Sequence, residues 1–147
     1  MNVIKTIIVI IAMMTLSVGG MIYVFFRPES IMMFKWFPFL GIVHKQVSLF
    51  RTTHLPDFLV YSIPDGLWLF SYILLIGVIW DFDYHRCFYL IMLLPVYAIF
   101  HEMLQLYHLV PGYFDFFDFV IYVIATLVGI SVLVMFNHVC KFKNQVL

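Results

Sequence analysis

The sequence predicts an all-α integral membrane protein with four transmembrane helices and an interfacial aromatic and basic loop after the first. Hydrophobic residues make up 65% of the chain and charged residues only 11%, which is far from the composition of a soluble domain. Four largely apolar stretches are long enough, at about 20 residues, to cross a hydrocarbon core of about 30 Å as helices. The 147 residues contain no low-complexity linker, so we expect one membrane domain over residues 1–147.

Charge and cysteine content argue against several classes of function. Eight basic and eight acidic side chains cancel, so no net field indicates nucleic acid as a partner. The sequence has no phosphate-binding glycine loop and no CxxC pair, which argues against a soluble redox or zinc-finger role. We interpret Cys87 and Cys140 as apolar or interfacial residues.

The first predicted span covers residues 6–26, an uncharged run bounded by Lys5 and Arg27. The alternative interpretation is a cleaved secretory signal, because SVGG at 17–20 resembles a small-residue cleavage site. The apolar run continues well past that point, which favours a retained transmembrane helix.

Residues 27–56 form the predicted interfacial loop. Basic side chains occur there among aromatic rings, namely Arg27, Lys35, Lys45 and Arg51 among Phe34, Trp36, Phe37, Phe39 and Phe50. Pro38 and Gly41 are expected to interrupt any long helix. Rings with basic neighbours are typical of the headgroup layer, so we favour a loop that lies on the bilayer. The alternative is a lid over a lipid site.

The remaining spans are predicted over residues 58–80, 87–106 and 115–138, with turns at 81–86 and 110–113. Pro95 is expected to kink the third span. Asp65, between Pro64 and Gly66, either caps the continuous part of the second span or belongs to a polar site. Basic residues divide four to four between the two faces, and the short tails favour both termini on the cytoplasmic side.

Carboxylates from three predicted helices lie beneath the same bilayer surface. The second span starts, the third ends and the fourth starts on one side of the membrane. A rise of about 1.5 Å per residue then places Asp65, Glu102 and Asp118 about 6 to 10 Å inside these ends. A charged group at a helix centre costs about 2.5 to 3.5 kcal/mol on insertion scales, so such groups usually face partners, water or a ligand. We therefore predict a polar pocket formed by these three spans.

Spacing along the helices adds polar neighbours to this pocket. On the third span, Glu102 and Gln105 are spaced i, i+3, and His101, Gln105 and His108 are spaced i, i+4, i+7. On the fourth span, Asp115, Asp118 and Tyr122 are spaced i, i+3, i+7, so each set shares one face of its helix. Lipid cannot satisfy such stripes, so we expect them to face one another. Lys45, Arg51 and His54 lie in the loop on the same side and are candidates to neutralise the carboxylates. The candidate ligand-binding residues are Glu102, Gln105, Asp115, Asp118, Asp65, His101, His108 and Arg51.

Several chemistries are open at this pocket. His101-Glu102-x-x-Gln105 lacks the second histidine of the HExxH zinc motif, and His108 is too far along the helix to replace it. We expect no cofactor, with Mg²⁺ or Ca²⁺ on oxygen ligands as the alternative. A Glu102–Asp118 acid–base pair would have no nucleophile beside it, which argues against an enzyme. A structural polar network and a proton or cation path are further alternatives, and the apolar halves of the spans oppose the second.

The hairpin carries a longer pattern, in which Glu102-x-x-Gln105 is followed by Pro111-Gly112-x-x-Asp115-x-x-Asp118 and then by Gly129. This arrangement resembles the VanZ-like family of small membrane proteins, which has E-x-x-Q on one helix and a turn leading into D-x-x-D on the next. The similarity covers about the last third of the chain and extends to Pro64-Asp65-x-x-Trp68. Tyr113 and Phe114 stand where many members have an arginine, and Tyr122 stands where they have an asparagine.

The resemblance implies a cell-envelope role, because the family is associated with resistance to teicoplanin-type glycopeptides. We expect a protein of the bacterial inner (cytoplasmic) membrane that binds a lipid headgroup or a lipid-linked envelope precursor. Glu102, Gln105, Asp115 and Asp118 would be its working groups. The alternative is a non-catalytic subunit or scaffold of a larger envelope complex, with the polar cluster structural. The expected partners are membrane lipids or other membrane protein subunits.

Overall fold

The computed structural model describes residues 3–28, 32–48 and 55–146, which fold into six helices without a strand. They are α1 (Val3–Phe26), α2 (Met32–Trp36), α3 (Pro38–Ser48), α4 (Asp57–Ile79), α5 (Tyr84–Leu106) and α6 (Phe116–Val146). Four segments are long and apolar enough to cross a membrane: α1, α4, α5 and the Phe116–His138 part of α6. The predicted all-α class with four transmembrane helices is therefore confirmed, and each predicted span lies within three residues of the observed one.

Helix α4 is the centre of the bundle. It packs against α1, α5 and α6, whereas α1 contacts neither α5 nor α6 within the described residues. Its buried side chains Ile73 and Leu74 join Ile8 of α1 and Leu133 of α6 in one apolar core. A polar group on α4 is therefore more enclosed by protein than one on its neighbours.

Small residues bring the helices close together. A Cβ added at Gly66 or Gly77 of α4 would overlap Ile121 or Leu133 of α6. Small residues of this kind allow membrane helices to approach closely and gain van der Waals contact where no hydrophobic effect operates between them. The α4–α6 contact thus depends on glycines that face large aliphatic side chains.

Hydroxyl groups connect α4 to its other two neighbours. Ser71 Oγ lies 2.7 Å from Thr15 Oγ1 of α1 and 2.9 Å from the Ala12 carbonyl oxygen. The Tyr72 hydroxyl donates to the Leu90 carbonyl of α5. Hydrogen bonds between membrane helices contribute about 0.6 to 2 kcal/mol each, so these contacts add modest stability and fix helix register.

The turn between α4 and α5 closes the end of the bundle away from the carboxylates. Asp81 and Phe82 both have positive φ, at 54° and 60°. Phe82 is only 1% exposed, and its N–H donates to the Gly77 carbonyl at 2.8 Å. Lys5 near the start of α1 forms an ion pair with Asp81. The turn is shorter than the predicted 81–86, since α5 already begins at Tyr84, and its Asp81 also anchors α1.

The predicted interfacial loop contains two short helices. They separate at Phe37, immediately before Pro38, but Gly41 lies inside α3, so the expectation that it interrupts a helix is wrong. One glycine costs a helix only about 1 kcal/mol, which packing can offset. The His44 ring Nδ1 lies 2.7 Å from the Val24 carbonyl and holds α3 against α1. Within the described part of the loop, α2 packs on α3 and α3 packs on α1, and neither packs on α5 or α6. Residues 29–31 and 49–54 lie outside the described chain, so the lid stays an untested alternative.

Prolines lie inside two of the spans. Helix α4 begins at Asp57 and continues through Pro64, which puts Asp65 well inside the helix. The alternative in which Asp65 caps the continuous part of this helix is therefore wrong. Helix α5 likewise continues through Pro95 to Leu106.

Gly19 and Gly20 of α1 form a matched pair for testing close packing. A Cβ at Gly19 would lie 2.7 Å from Trp68 Nε1 and 3.1 Å from the Pro64 carbonyl, whereas one at Gly20 would meet nothing within 4 Å. We expect Gly19→Ala to lower the free energy of unfolding by about 1 to 3 kcal/mol, because overpacking must displace Trp68. Gly20→Ala should leave it unchanged or slightly raised, since alanine favours a helix. Thermal unfolding in detergent measures both, and equal effects would contradict the packing.

Candidate functional site

Three carboxylates converge at one end of the bundle. Asp65 of α4, Glu102 of α5 and Asp118 of α6 lie close enough for Asp118 to interact electrostatically with each of the other two. Tyr122, one turn further along α6, lies within range of all three. The structure thus brings together the three side chains that crossing order and helix rise place at similar depth.

Arg27 brings a positive charge to this cluster, although the sequence predicted it only as part of the interfacial loop. Its Nη2 lies 3.4 Å from Asp65 Oδ2 and donates to the Tyr61 carbonyl at 2.7 Å, while its Nε donates to the Val60 carbonyl at 3.4 Å. The guanidinium carbon lies 4.2 Å from the centre of the Tyr23 ring and 5.3 Å from that of Tyr61. The nitrogen atoms of the guanidinium thus bond groups of α4, and its flat face contacts aromatic rings of α1 and α4.

Pro64 explains why a helix carbonyl is available to Arg27. Proline has no N–H, so the carbonyl four residues earlier, that of Val60, loses its helical partner. A carbonyl left without a partner is costly where water is scarce, and a guanidinium can satisfy it. The signal was present in the sequence as a proline inside a span, a carboxylate beside it and an arginine ending the preceding span.

The hairpin between α5 and α6 is built by the motif residues themselves. Asp115 is the N-cap of α6, with Oδ1 accepting the Phe117 N–H at 2.8 Å, and its own N–H donates to Glu102 Oε2 at 3.2 Å. The Gln105 amide nitrogen, turned toward the acceptors, donates to the Tyr113 carbonyl at 3.0 Å and to Glu102 Oε2 at 3.3 Å. Gln105 and Asp115 therefore hold the turn, and neither bond to Glu102 uses its Oε1.

Gly112 is required at this turn for two reasons. Its φ of +128° is one that other residues rarely adopt. A Cβ there would also overlap the Gln105 side chain. The Pro-Gly pair in the motif thus makes room for the amide that closes the hairpin.

One predicted site residue, His108, does not join the cluster. Helix α5 ends at Leu106, and His108 follows in the turn with φ of +56° and an exposed side chain. The predicted His101, Gln105, His108 stripe is therefore wrong at its last member, because the helix that would carry it has already ended. Arg51 lies outside the described residues, as does His54. Within the described chain, no three His, Cys, Asp or Glu side chains are arranged to hold a metal ion.

Asp118 and Ser62 form a buried polar corner between α6 and α4. Asp118 Oδ1 and Ser62 Oγ are both inaccessible, and neither makes a hydrogen bond of good geometry although the two side chains lie beside each other. Ser62 is fully buried. Such groups are rare in native proteins because each loses its hydration without replacement. Neither the hairpin nor the Arg27–Asp65 pair accounts for this corner.

A cavity of about 290 Å³ opens between α4, α5 and α6, and neither Ser62 nor Asp118 is among its lining residues. Its polar lining comes from Asp65, His101 and Glu102, and its aromatic lining from Trp68, Tyr97 and Tyr122. Leu69, Leu94 and Ala98 complete the wall. Three of the site residues predicted from the sequence, Asp65, His101 and Glu102, thus line the cavity. Gln105 and Asp115 instead hold the adjacent turn.

A comparison of the chain with protein-family models, with curated proteins and with solved structures finds no match.

Replacing Arg27 tests the contact with the interrupted turn of α4. Arg27→Met should lower the free energy of unfolding by about 2 kcal/mol, since it leaves Asp65 unpaired and the Val60 carbonyl unsatisfied. In a Pro64→Ala background the cost should fall by about 1 kcal/mol, because an alanine at this position has an N–H that can donate to that carbonyl. Arg86→Met, which removes a largely exposed pair with Asp83, is the control and should cost under about 0.5 kcal/mol. Unfolding followed by circular dichroism measures these free energies. The explanation would be refuted if Arg27→Met lowered the free energy of unfolding by the same amount in the wild-type and the Pro64→Ala backgrounds.

Asp115 is expected to act as a helix cap. Asp115→Ala should lower the free energy of unfolding by about 1 kcal/mol, because the Phe117 N–H loses its acceptor. Asp115→Asn should retain most of that stability, since an asparagine oxygen caps equally well. Thermal unfolding of the two variants measures the difference. A large loss with Asn would show instead that the negative charge itself matters.

Proposed function

We propose that this chain is a VanZ-like cell-envelope membrane protein whose cavity between α4, α5 and α6 binds the polar head of a membrane lipid or of a lipid-linked envelope precursor. The proposal is supported by the hairpin motif and, above all, by a cavity of about 290 Å³ with Asp65 and Glu102 in its wall. A bacterial inner membrane is the location that this proposal requires.

The position of the cavity suits a ligand that arrives from the bilayer. Asp65 is eight residues into α4 and Glu102 is four residues before the end of α5, or about 12 Å and about 6 Å along the helix axes. Among the lining residues of α5, Leu94 and Tyr97 are 39% and 63% exposed, so they face lipid rather than protein. A headgroup can therefore enter sideways between α4 and α5 while its acyl chains stay in the membrane.

The lining selects hydrogen-bond donors. Carboxylates accept from hydroxyl and amine groups, and aromatic rings stack on the faces of sugars or pack against cations. A bare phosphate would be repelled by Asp65 and Glu102. Arg27 does not offset this repulsion, because its guanidinium already bonds Asp65 and two carbonyls. Sugar or amine portions of a headgroup thus fit the cavity better than its phosphate.

The second candidate function is a scaffold or subunit of a larger envelope complex. Large apolar side chains are exposed along α5 and α6, including Leu93, Val96, Phe100 and Leu127. These would contact either lipid or a partner helix. In this case the carboxylate cluster would only hold three helices together, and no ligand would depend on it.

Native mass spectrometry separates the two functions. The wild type purified from bacterial membranes should carry lipid adducts that Glu102→Gln reduces about tenfold, because the amide keeps an acceptor for the Asp115 N–H but loses the charge. Asp57→Asn is the matched control, since Asp57 is exposed at the start of α4 and outside the cavity. Equal adducts in all three proteins, with a lower melting temperature for Glu102→Gln alone, would favour the scaffold.

A further inference from the structure

We infer that the group recognised in this cavity is a primary ammonium group. The inference rests on the proposed function and narrows it from polar heads in general to those that carry a positively charged nitrogen. It is drawn from the aromatic residues that line the cavity and from the charge at the site.

The cavity combines aromatic faces with carboxylates. Trp68, Tyr97 and Tyr122 contribute rings, and Asp65 and Glu102 contribute negative charge to the same wall. The faces of such rings attract cations, and cages of this composition recognise methylated and unmethylated ammonium groups. A neutral sugar would gain from the rings but would not require the charge.

The negative charge around the cavity exceeds the positive charge that the described residues bring to it. Arg27 faces Asp65, and Asp115 is satisfied as a helix cap. Glu102 receives two amide donors, both uncharged and both on Oε2. Asp118 has one oxygen without a hydrogen-bond partner.

His101 is the one basic side chain among the described residues that line the cavity. It lies within electrostatic range of Glu102. Arg27 also lies within electrostatic range of Asp118, but its guanidinium bonds Asp65, so the three carboxylates of Asp65, Glu102 and Asp118 outnumber the cations that face them. A ligand that brings one positive charge to them would offset the cost of holding them at membrane depth.

The donor set favours an organic cation over a metal ion. Ca²⁺ takes about six to eight oxygen ligands, and Mg²⁺ about six in strict octahedral geometry. The cavity wall provides the carboxylates of Asp65 and Glu102 among rings and aliphatic side chains. Such a wall is better matched to a cation that is partly apolar.

The amine has two sources in a bacterial envelope, an aminophospholipid and a lipid-linked precursor with a free amine. Both would present an amine to the cavity, and they differ in the size of the part of the molecule that stays outside it. The probes are therefore chosen in pairs that differ only at the nitrogen. Dioleoyl phosphatidylethanolamine is compared with its N-acetylated form and with dioleoyl phosphatidylglycerol, and an amine-bearing polyprenyl-linked precursor is compared with its acetylated form.

Binding is measured by native mass spectrometry of the full chain in detergent, with each lipid titrated separately. We expect the amine form of at least one pair to bind about tenfold more tightly than its acetylated form. Glu102→Gln should abolish that preference, and Asp57→Asn should keep it. The pair that shows the preference identifies the source of the amine.

Tyr97→Leu separates recognition from folding. Tyr97 is mostly exposed, so its replacement should leave the melting temperature close to that of the wild type. Loss of a ring from the cavity should nevertheless reduce the preference for the amine form severalfold. A merely structural role for Tyr97 would not change the ratio between two lipids that differ only at one nitrogen.

The outcomes distinguish this inference from the proposed function. Equal binding of amine and acetylated forms, both weakened by Glu102→Gln, would overturn the inference and leave headgroup binding in place. Lipid binding that Glu102→Gln does not change would overturn both. A preference for the amine that disappears in Glu102→Gln and weakens in Tyr97→Leu supports both.

Discussion

The constraint on which the rest of the structure depends is the need to satisfy a helix carbonyl that Pro64 leaves without a partner inside the membrane. In water this carbonyl would be hydrated, but hydrocarbon offers no donor. Arg27 meets the need from the end of α1, and in doing so its guanidinium reaches Asp65 one residue beyond the proline. One side chain thus holds α1 against α4, compensates a broken hydrogen bond and neutralises a carboxylate.

This arrangement decides which charges remain for function. Because the guanidinium is committed to Asp65 and to two carbonyls, it is not directed at Glu102 on the far helix. Asp118 interacts with both carboxylates and keeps one oxygen without a hydrogen bond. The contacts of Arg27 therefore stabilise the central helix α4 and, because they occupy its guanidinium, also leave the cavity negatively charged.

The spans were predictable because they follow from composition and length, which the bilayer dictates directly. The convergence of Asp65, Glu102 and Asp118 was predictable for a similar reason, since crossing order and helix rise determine depth. Arg27 was missed because two of its partners are backbone carbonyls, and a sequence reveals an unpaired carbonyl only through a proline. His108 was wrongly placed because the helix ends two residues before it, and no proline or glycine marks that end.

The motif of the hairpin, Glu102-x-x-Gln105 followed by Asp115-x-x-Asp118, contains two kinds of residue in this structure. Gln105, Gly112 and Asp115 build the hairpin, through an amide bridge, a positive φ and a helix cap. Glu102 and Asp118 keep oxygen atoms that the hairpin does not use. Tyr113 and Phe114, the two residues before Asp115, carry no charge, yet the guanidinium of Arg27 reaches the cluster from the end of α1. The guanidinium of Arg27 is held against α4 and leaves Glu102, on the α5 side of the cavity, negatively charged. We therefore expect the positive charge that neutralises Glu102 to come from a ligand.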